Sequence, residues 1–294
     1  MKIQQSTRQI ERRLGDATRR ILPRPVAELI MFTLKQAWAC LFAALMLGGL
    51  IVSDLIWDDA WVIQRYDALF VYAISLQVLF LIFKLESLTE ARVILLFHIT
   101  GTAMEIYKVK MGSWAYPEPG FFKLWGVPLF SGFMYASVGS FMARVIRIFD
   151  MRFAPYPPFW MTFILGAAIY LNFFTHHYIF DIRLLLFAAT FILFIRTRVW
   201  FRIAQKYYWM PLPVAAFFTS FFLWVAENVG TGTGTWVYAG TDGLSFVSLA
   251  KMGSWYLLLY VSFVTVTLVT REALIKEPIS NPKIADAPSG KGRE

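Results

Sequence analysis

The chain has 294 residues, 58% hydrophobic and 18% aromatic, with 28 Lys and Arg against 19 Asp and Glu and a formal net charge of +9. Several apolar runs about as long as a bilayer is thick set it apart from a soluble globular chain and mark a polytopic membrane protein. The single cysteine, Cys40, excludes an internal disulfide and any cysteine cluster for zinc or iron–sulfur.

Residues 1–34 are basic. Arg8, Arg12, Arg13, Arg19 and Arg20 alternate with Ile10, Leu14 and Ile21. This fits a basic amphipathic helix on an anionic leaflet, or equally a disordered tail that serves only the charge bias of topology. It has no cleavable apolar core, so the first spanning helix is expected to direct insertion. Pro23 and Pro25 separate it from the apolar body of the chain.

Eight apolar windows come next, at about 36–57, 66–84, 90–107, 126–146, 157–173, 181–196, 209–228 and 248–270. Backbone polar groups cannot stay unpaired in lipid, and the alternation of a membrane barrel is absent, so the windows predict helices. The predicted fold is all-α, a polytopic membrane bundle of about eight transmembrane helices. With the N-terminus inside, 22 of the 28 Lys and Arg fall on the cytoplasmic side and 6 on the other, which puts both termini in the cytoplasm. The positive charge is thus a topology signal, and nucleic acid is not an expected partner. The tail 273–294 reads as polar and disordered.

One motif is written twice. Glu105-x6-Gly112-Ser-Trp114-Ala-Tyr116 recurs 122 residues later as Glu227-x6-Gly234-Thr-Trp236-Val-Tyr238. Each copy closes the third window of a four-window half, 35–150 and 151–272. An even number of crossings per half makes the repeats parallel about an axis along the membrane normal. Asp67 and Asp181 echo each other at the start of the second and sixth windows.

A carboxylate at the end of an apolar run costs free energy, so two in equivalent places mark Glu105 and Glu227 as candidate catalytic groups. Each sits in the last turn of its predicted helix. Gly112 and Gly234 allow a tight exit turn with positive φ and are themselves candidate substrate contacts. Trp114, Tyr116, Trp236 and Tyr238 are candidate substrate contacts, although interfacial aromatics alone would account for them. His98, Thr102 and Glu105 stand at i, i+4 and i+7 on one stripe, with His98 roughly 10 Å deeper. His98 is therefore a third candidate catalytic group and Thr102 a substrate contact, with plain packing the alternative for His98. Lys108, also a candidate contact, is placed at i, i+3 to pair with Glu105 and hold it ionised.

Asp54, Asp58, Asp59, His176, His177 and Asp181 could assemble at the outer side, but adjacent histidines diverge on a helix and no metal is expected. The run Gly230–Thr235 lacks the features of a phosphate loop and reads as a flexible outer loop. No cofactor is expected.

The stretch from Glu105 to Pro117, with Val127-Pro128-Leu-Phe-Ser-Gly-Phe-Met-Tyr135, resembles the YoaT-like family of bacterial integral membrane proteins, a domain family of unknown function. The resemblance covers about 35–272 and implies a multi-span protein of the bacterial inner membrane. Weaker is the similarity to membrane carotenoid cyclases and hydratases, whose half-repeats also pair an acidic residue with a Gly-x-Trp-x-Tyr loop. The two glutamates that follow the proline in those cyclases are replaced here by Leu129-Phe130-Ser131. A membrane-embedded enzyme acting on an apolar isoprenoid or lipid by glutamate acid/base chemistry is the leading expectation. A small transporter or channel and a membrane assembly factor are the alternatives. The expected partners are the lipid bilayer and an apolar small molecule, and the oligomeric state is not legible.

Overall fold

The computed structural model describes residues 13–58, 60–203, 206–239 and 246–279. Expectations for Arg8, Ile10, Arg12, Asp59 and the tail from 280 onward lie outside the described residues. Helices dominate. In chain order they are α1 (Arg24–Ala39), α2 (Leu41–Ile56), α3 (Arg65–Ile82), α4 (Leu88–Lys110), α5 (Phe130–Ile148), α6 (Phe159–Thr175), α7 (Arg183–Phe194), α8 (Leu212–Gly232) and α9 (Leu249–Thr267).

Their starts are written locally. Pro25 and Pro213 occupy first-turn positions of α1 and α8, where a missing N–H costs nothing. Ser87 and Glu90 form a reciprocal capping box on α4.

α2 to α9 fall in the eight sequence windows, but length and apolarity qualify only three of them to cross a membrane: α3, α8 and α9. The pair α1–α2, bent by 67° at Cys40, brings the number to four if it is one span. α4 carries five charged side chains, and α6 and α7 have only 17 and 12 residues. The first window is corrected too, because the helix breaks at Cys40 and α1 reaches back to Arg24.

The interior is apolar, but the outside is apolar as well. Phe217, Phe218 and Phe222 on α8 and Leu184, Leu185 and Ile192 on α7 are exposed, while Ser140, Arg144, Thr162, Thr190 and Ser220 are buried. Apolar faces turned outward and apolar helices allow a membrane protein. Inside, α4 and α5 approach closely. A Cβ on Gly101 would meet Tyr135 at 2.6 Å, one on Gly139 Phe97 at 2.7 Å, and one on Gly132 would collide with His98 and Thr102. Small residues at a helix contact let backbones close in this way.

The structure is not purely α. β4 (Arg152–Ala154), β5 (Arg198–Ile203) and β6 (Lys206–Pro211) form an antiparallel sheet where the sequence predicted loops. Val199, Trp200, Phe201 and Ile203 are all buried, which pins β5 to the core. β2 (Lys123–Leu124) and β3 (Val127–Pro128) form a small hairpin. β1 (Trp114–Ala115) pairs antiparallel with β7 (Val237–Tyr238), in register Trp114↔Tyr238 and Ala115↔Val237. These are the two motif copies, joined directly. α3 anchors the second copy: buried Arg65 donates to Thr235 Oγ1 (3.1 Å) and the Thr233 carbonyl (3.2 Å) and pairs with Glu118 (2.5 Å), while Tyr66 donates to the Thr235 carbonyl (2.7 Å).

Candidate functional site

The spacing of the repeated motif has a direct geometric reading. α4 and α8 each run five residues past their glutamate, so Glu105 and Glu227 lie deeper than a last turn. The chain then reverses at Gly112 (φ +65°) and Gly234 (φ +62°), a conformation that side chains with a Cβ rarely adopt. The reversal carries the tryptophan and tyrosine, nine and eleven residues on, back over the carboxylate.

Trp114 Nε1 donates to Glu105 Oε2 at 2.6 Å and Tyr116 Oη to the same oxygen at 2.9 Å, while Tyr135 Oη, from α5, donates to Oε1 at 2.6 Å. In the second copy Trp236 Nε1 (3.2 Å) and Tyr238 Oη donate to Glu227 Oε1, and Trp255 Nε1, from α9, donates to Oε2 at 3.1 Å. Each carboxylate therefore receives three hydrogen bonds, two from its own loop and one from the next helix. Glu105 is 3% exposed and Glu227 7%, so this solvation by protein donors replaces water. Burial, and then the adjoining carboxylate, push the Tyr116 and Tyr238 phenols above their ordinary range, which keeps both as donors.

The two cages touch. Trp114 and Tyr238 meet edge to face at 5.8 Å between centroids, and Tyr135 and Trp255 lie 6.2 Å apart. Both glutamates line one cavity of about 570 Å³, within the roughly 300–1,000 Å³ usual for ligand sites. On α5 its wall runs from Ser131 to Phe141, roughly 15 Å at the helical rise. It begins at the glutamates, with Lys108, His176, Arg183 and Lys251 around that end, and continues along apolar side chains of α2, α5 and α8 to the elbow at Cys40.

Of the residues singled out in the sequence, Glu105, Lys108, Trp114, Tyr116, Glu227, Trp236 and Tyr238 line the cavity. His98 and Thr102 share the predicted stripe but face the close contact with Gly132, where the His98 ring lies 4.5 Å from that of Phe133. Neither borders the cavity. Gly112 and Gly234, expected as substrate contacts, serve as the turns and do not border the cavity.

Two expectations are corrected, and one cation is added. Glu105 and Lys108 form no ion pair: the carboxylate turns to α5, and Lys108 Nζ lies 2.9 Å from His177 Nε2, 3.4 Å from His176 Nε2 and over the Phe173 ring. Glu227 lacks a neighbouring cation in sequence, but Lys251 of α9 reaches its cage, with Nζ 3.8 Å from the centroid of the Tyr238 ring. The run Gly230–Thr235 is no flexible loop: its first residues complete α8, and the Trp236 ring packs against Gly230.

Tyr135, Trp255, Lys251 and Arg183 escaped sequence reasoning. A partial signal existed, because Tyr135 follows Glu105 by 30 residues and Trp255 follows Glu227 by 28. Among the described residues no group of three or more His, Cys, Asp or Glu side chains is placed to hold a metal.

Fold and site together define a helical protein with membrane-length apolar helices around a cavity that carries two caged carboxylates. The chain belongs to the family described as "Protein of unknown function (DUF817)", which matches residues 28–263. It is 41% identical over 244 residues to the "Uncharacterized protein YoaT" of Bacillus subtilis (strain 168), covering 83% of this chain and 92% of that one. No solved structure matches it.

Proposed function

We propose that the protein is a membrane-embedded enzyme that acts on an apolar isoprenoid or lipid substrate by acid/base chemistry at Glu105 and Glu227. The observation that carries this reading is the junction of both carboxylates at one end of a long apolar cavity. The two cages suit different roles. Among the described residues Glu105 Oε1 meets only the Tyr135 hydroxyl, which can rotate and accept a hydrogen bond in return. Both oxygens of Glu227 receive an indole N–H, which cannot accept, and Lys251 stands beside this cage. Glu105 is thus suited to carry a proton and Glu227 to remain a carboxylate.

In this scheme Glu105 transfers its proton to a carbon–carbon double bond of the substrate and becomes a carboxylate. The resulting cation is stabilised by the neighbouring aromatic faces. Glu227 removes a proton from an adjacent carbon as the new double bond forms, so the substrate gains and loses one proton. The enzyme resets when Glu227 releases its proton and Glu105 takes one up. Trp114, Tyr116, Trp236 and Tyr238 shape the reacting end, and Lys108 borders it. His98, Thr102, Gly112 and Gly234 support the scaffold from outside the cavity.

The topology that goes with this reading has eight crossings of a bacterial inner membrane in two parallel halves, 35–150 and 151–272. The segments 1–34 and 273–294 are then cytoplasmic. It is supported by a helix in every predicted window and by the same three-donor cage in both halves. The short α6 and α7 would cross by locally thinning the bilayer.

The test is mass spectrometry of membrane lipids and polyprenoids from a deletion strain complemented with wild type or with Glu105→Gln. A species that accumulates in the variant while a related product is lost supports the enzyme. Identical profiles at equal protein levels overturn it. The transporter alternative draws on one observation, the length of the cavity from the glutamates to the Cys40 elbow, and predicts proton-dependent uptake by proteoliposomes.

A further inference from the structure

The carboxylate end of the cavity also collects cations. Lys108 is the least expected of them, because it is only 3% exposed and yet its contacts are two imidazole nitrogens and a phenyl ring. No carboxylate among the described residues lies within ion-pair distance of it. A buried ammonium without an anion costs several kcal/mol, and an ammonium at membrane depth is kept when it has something to bind. Lys251 lies against the Tyr238 and Trp114 rings at 3.8 and 5.5 Å. Arg183, paired with Asp181 at 3.1 Å, presents its side chain to the same space, as does His176. Of the two glutamates only Glu227 adds negative charge in the proposed resting state, and each already accepts hydrogen bonds from three protein donors.

We infer that the cavity's ligand is an amphiphile with a phosphate head, seated among Lys108, Lys251, Arg183 and His176, whose apolar chain runs along α2, α5 and α8 toward Cys40. This rests on the proposed function only in taking the same cavity as the site. A phosphate fits the donor set better than a carboxylate does. It brings up to two negative charges and three strong acceptor oxygens to a cluster that offers several cations in different directions. A neutral polyene would leave Lys108 without a counter-charge.

Purified full-length protein in detergent would be titrated with farnesyl monophosphate, farnesol and inorganic phosphate, followed by quenching of the cavity tryptophans. Farnesyl monophosphate is expected to bind at least about tenfold more tightly than farnesol, a preference of about 1.4 kcal/mol. It should also bind far more tightly than inorganic phosphate, which lacks the chain. Lys108→Gln and Lys251→Gln should each abolish the preference for the phosphate while leaving farnesol binding within about twofold, and Lys108→Arg should restore it. Should Lys108→Gln fail to fold, Lys251→Gln carries the test.

Equal affinity for phosphate and alcohol, or a preference untouched by both variants, overturns the inference. So does inorganic phosphate binding as tightly as the ester, which would mean a free-anion site. A changed lipid profile in Glu105→Gln without any phosphate preference would leave the enzyme standing and remove only this headgroup. A phosphate preference with unchanged lipids would do the reverse.

Discussion

Glutamine in place of either glutamate keeps shape and volume but turns one acceptor oxygen into an NH2 donor. At position 105 the amide oxygen can take the Oε2 place, where it still accepts from Trp114 and Tyr116. Its NH2 then faces only the Tyr135 hydroxyl, which rotates to accept. At position 227 either orientation of the amide puts the NH2 against an indole N–H, of Trp236 or of Trp255, and neither can accept. Both variants lose the charge-assisted part of their hydrogen bonds. Only Glu227→Gln also leaves a buried donor facing a donor, at about 1–3 kcal/mol.

Taking about 2 kcal/mol and an unfolding entropy of about 2.1 cal/mol/K per residue over the 294-residue chain, Glu227→Gln should melt about 3 °C below Glu105→Gln. Thermal unfolding of the purified variants in the same detergent measures the difference. A mutant cycle then locates it, because Trp255→Phe should cost less in the Glu227→Gln background than in wild type. Equal midpoints for the two glutamine variants would refute the donor assignment, and with it the division of roles between the carboxylates.

Three further outcomes concern packing, charge and topology. A Cβ on Gly230 would collide with the Trp236 ring, whereas nothing lies within 4 Å of one on Gly232. Gly230→Ala should therefore cost about 1–3 kcal/mol by overpacking and shift tryptophan emission, while Gly232→Ala is close to neutral in the same melting assay. Arg65→Met removes the buried partner of Glu118, Ser53 and Thr235. Because Glu118 keeps 28% of its surface in water, the loss should be about 2–3 kcal/mol by denaturant unfolding, below the full range for a buried pair. In a Cys40→Ser background, Ser113→Cys should react with an impermeant thiol reagent added from outside intact spheroplasts, and Lys206→Cys only after lysis. The opposite pattern would reverse the proposed orientation.

The parts of the site legible in sequence were those built within one loop. Glu, Gly, Trp and Tyr recur at fixed spacing because a helix end, a turn and a short strand fold onto each other locally, and Gly112 and Gly234 adopt the positive φ their positions required. What remained hidden depends on which helix packs where. Tyr135 and Trp255 play one role with different side chains and spacings of 30 and 28 residues, a signal too partial to join them without the fold. Lys108 turned toward His176 and His177 because Glu105 was already claimed by α5, a competition that i, i+3 counting cannot see. The bend at Cys40 has neither proline nor glycine at the break, and the β5–β6 hairpin has six-residue strands with no in/out alternation to set them apart from the apolar windows. His98 followed its predicted stripe faithfully, but that stripe leads into the α4–α5 contact.

The elbow at Cys40 has a practical consequence. The chain's one thiol stands between two helices bent by 67° and borders the cavity at the end remote from the glutamates. Nature has thus installed a single chemical handle where the tail of a bound chain would come to rest. A label attached there needs no engineered cysteine, and its mobility reports whether the cavity is filled and whether the angle between α1 and α2 opens when it is.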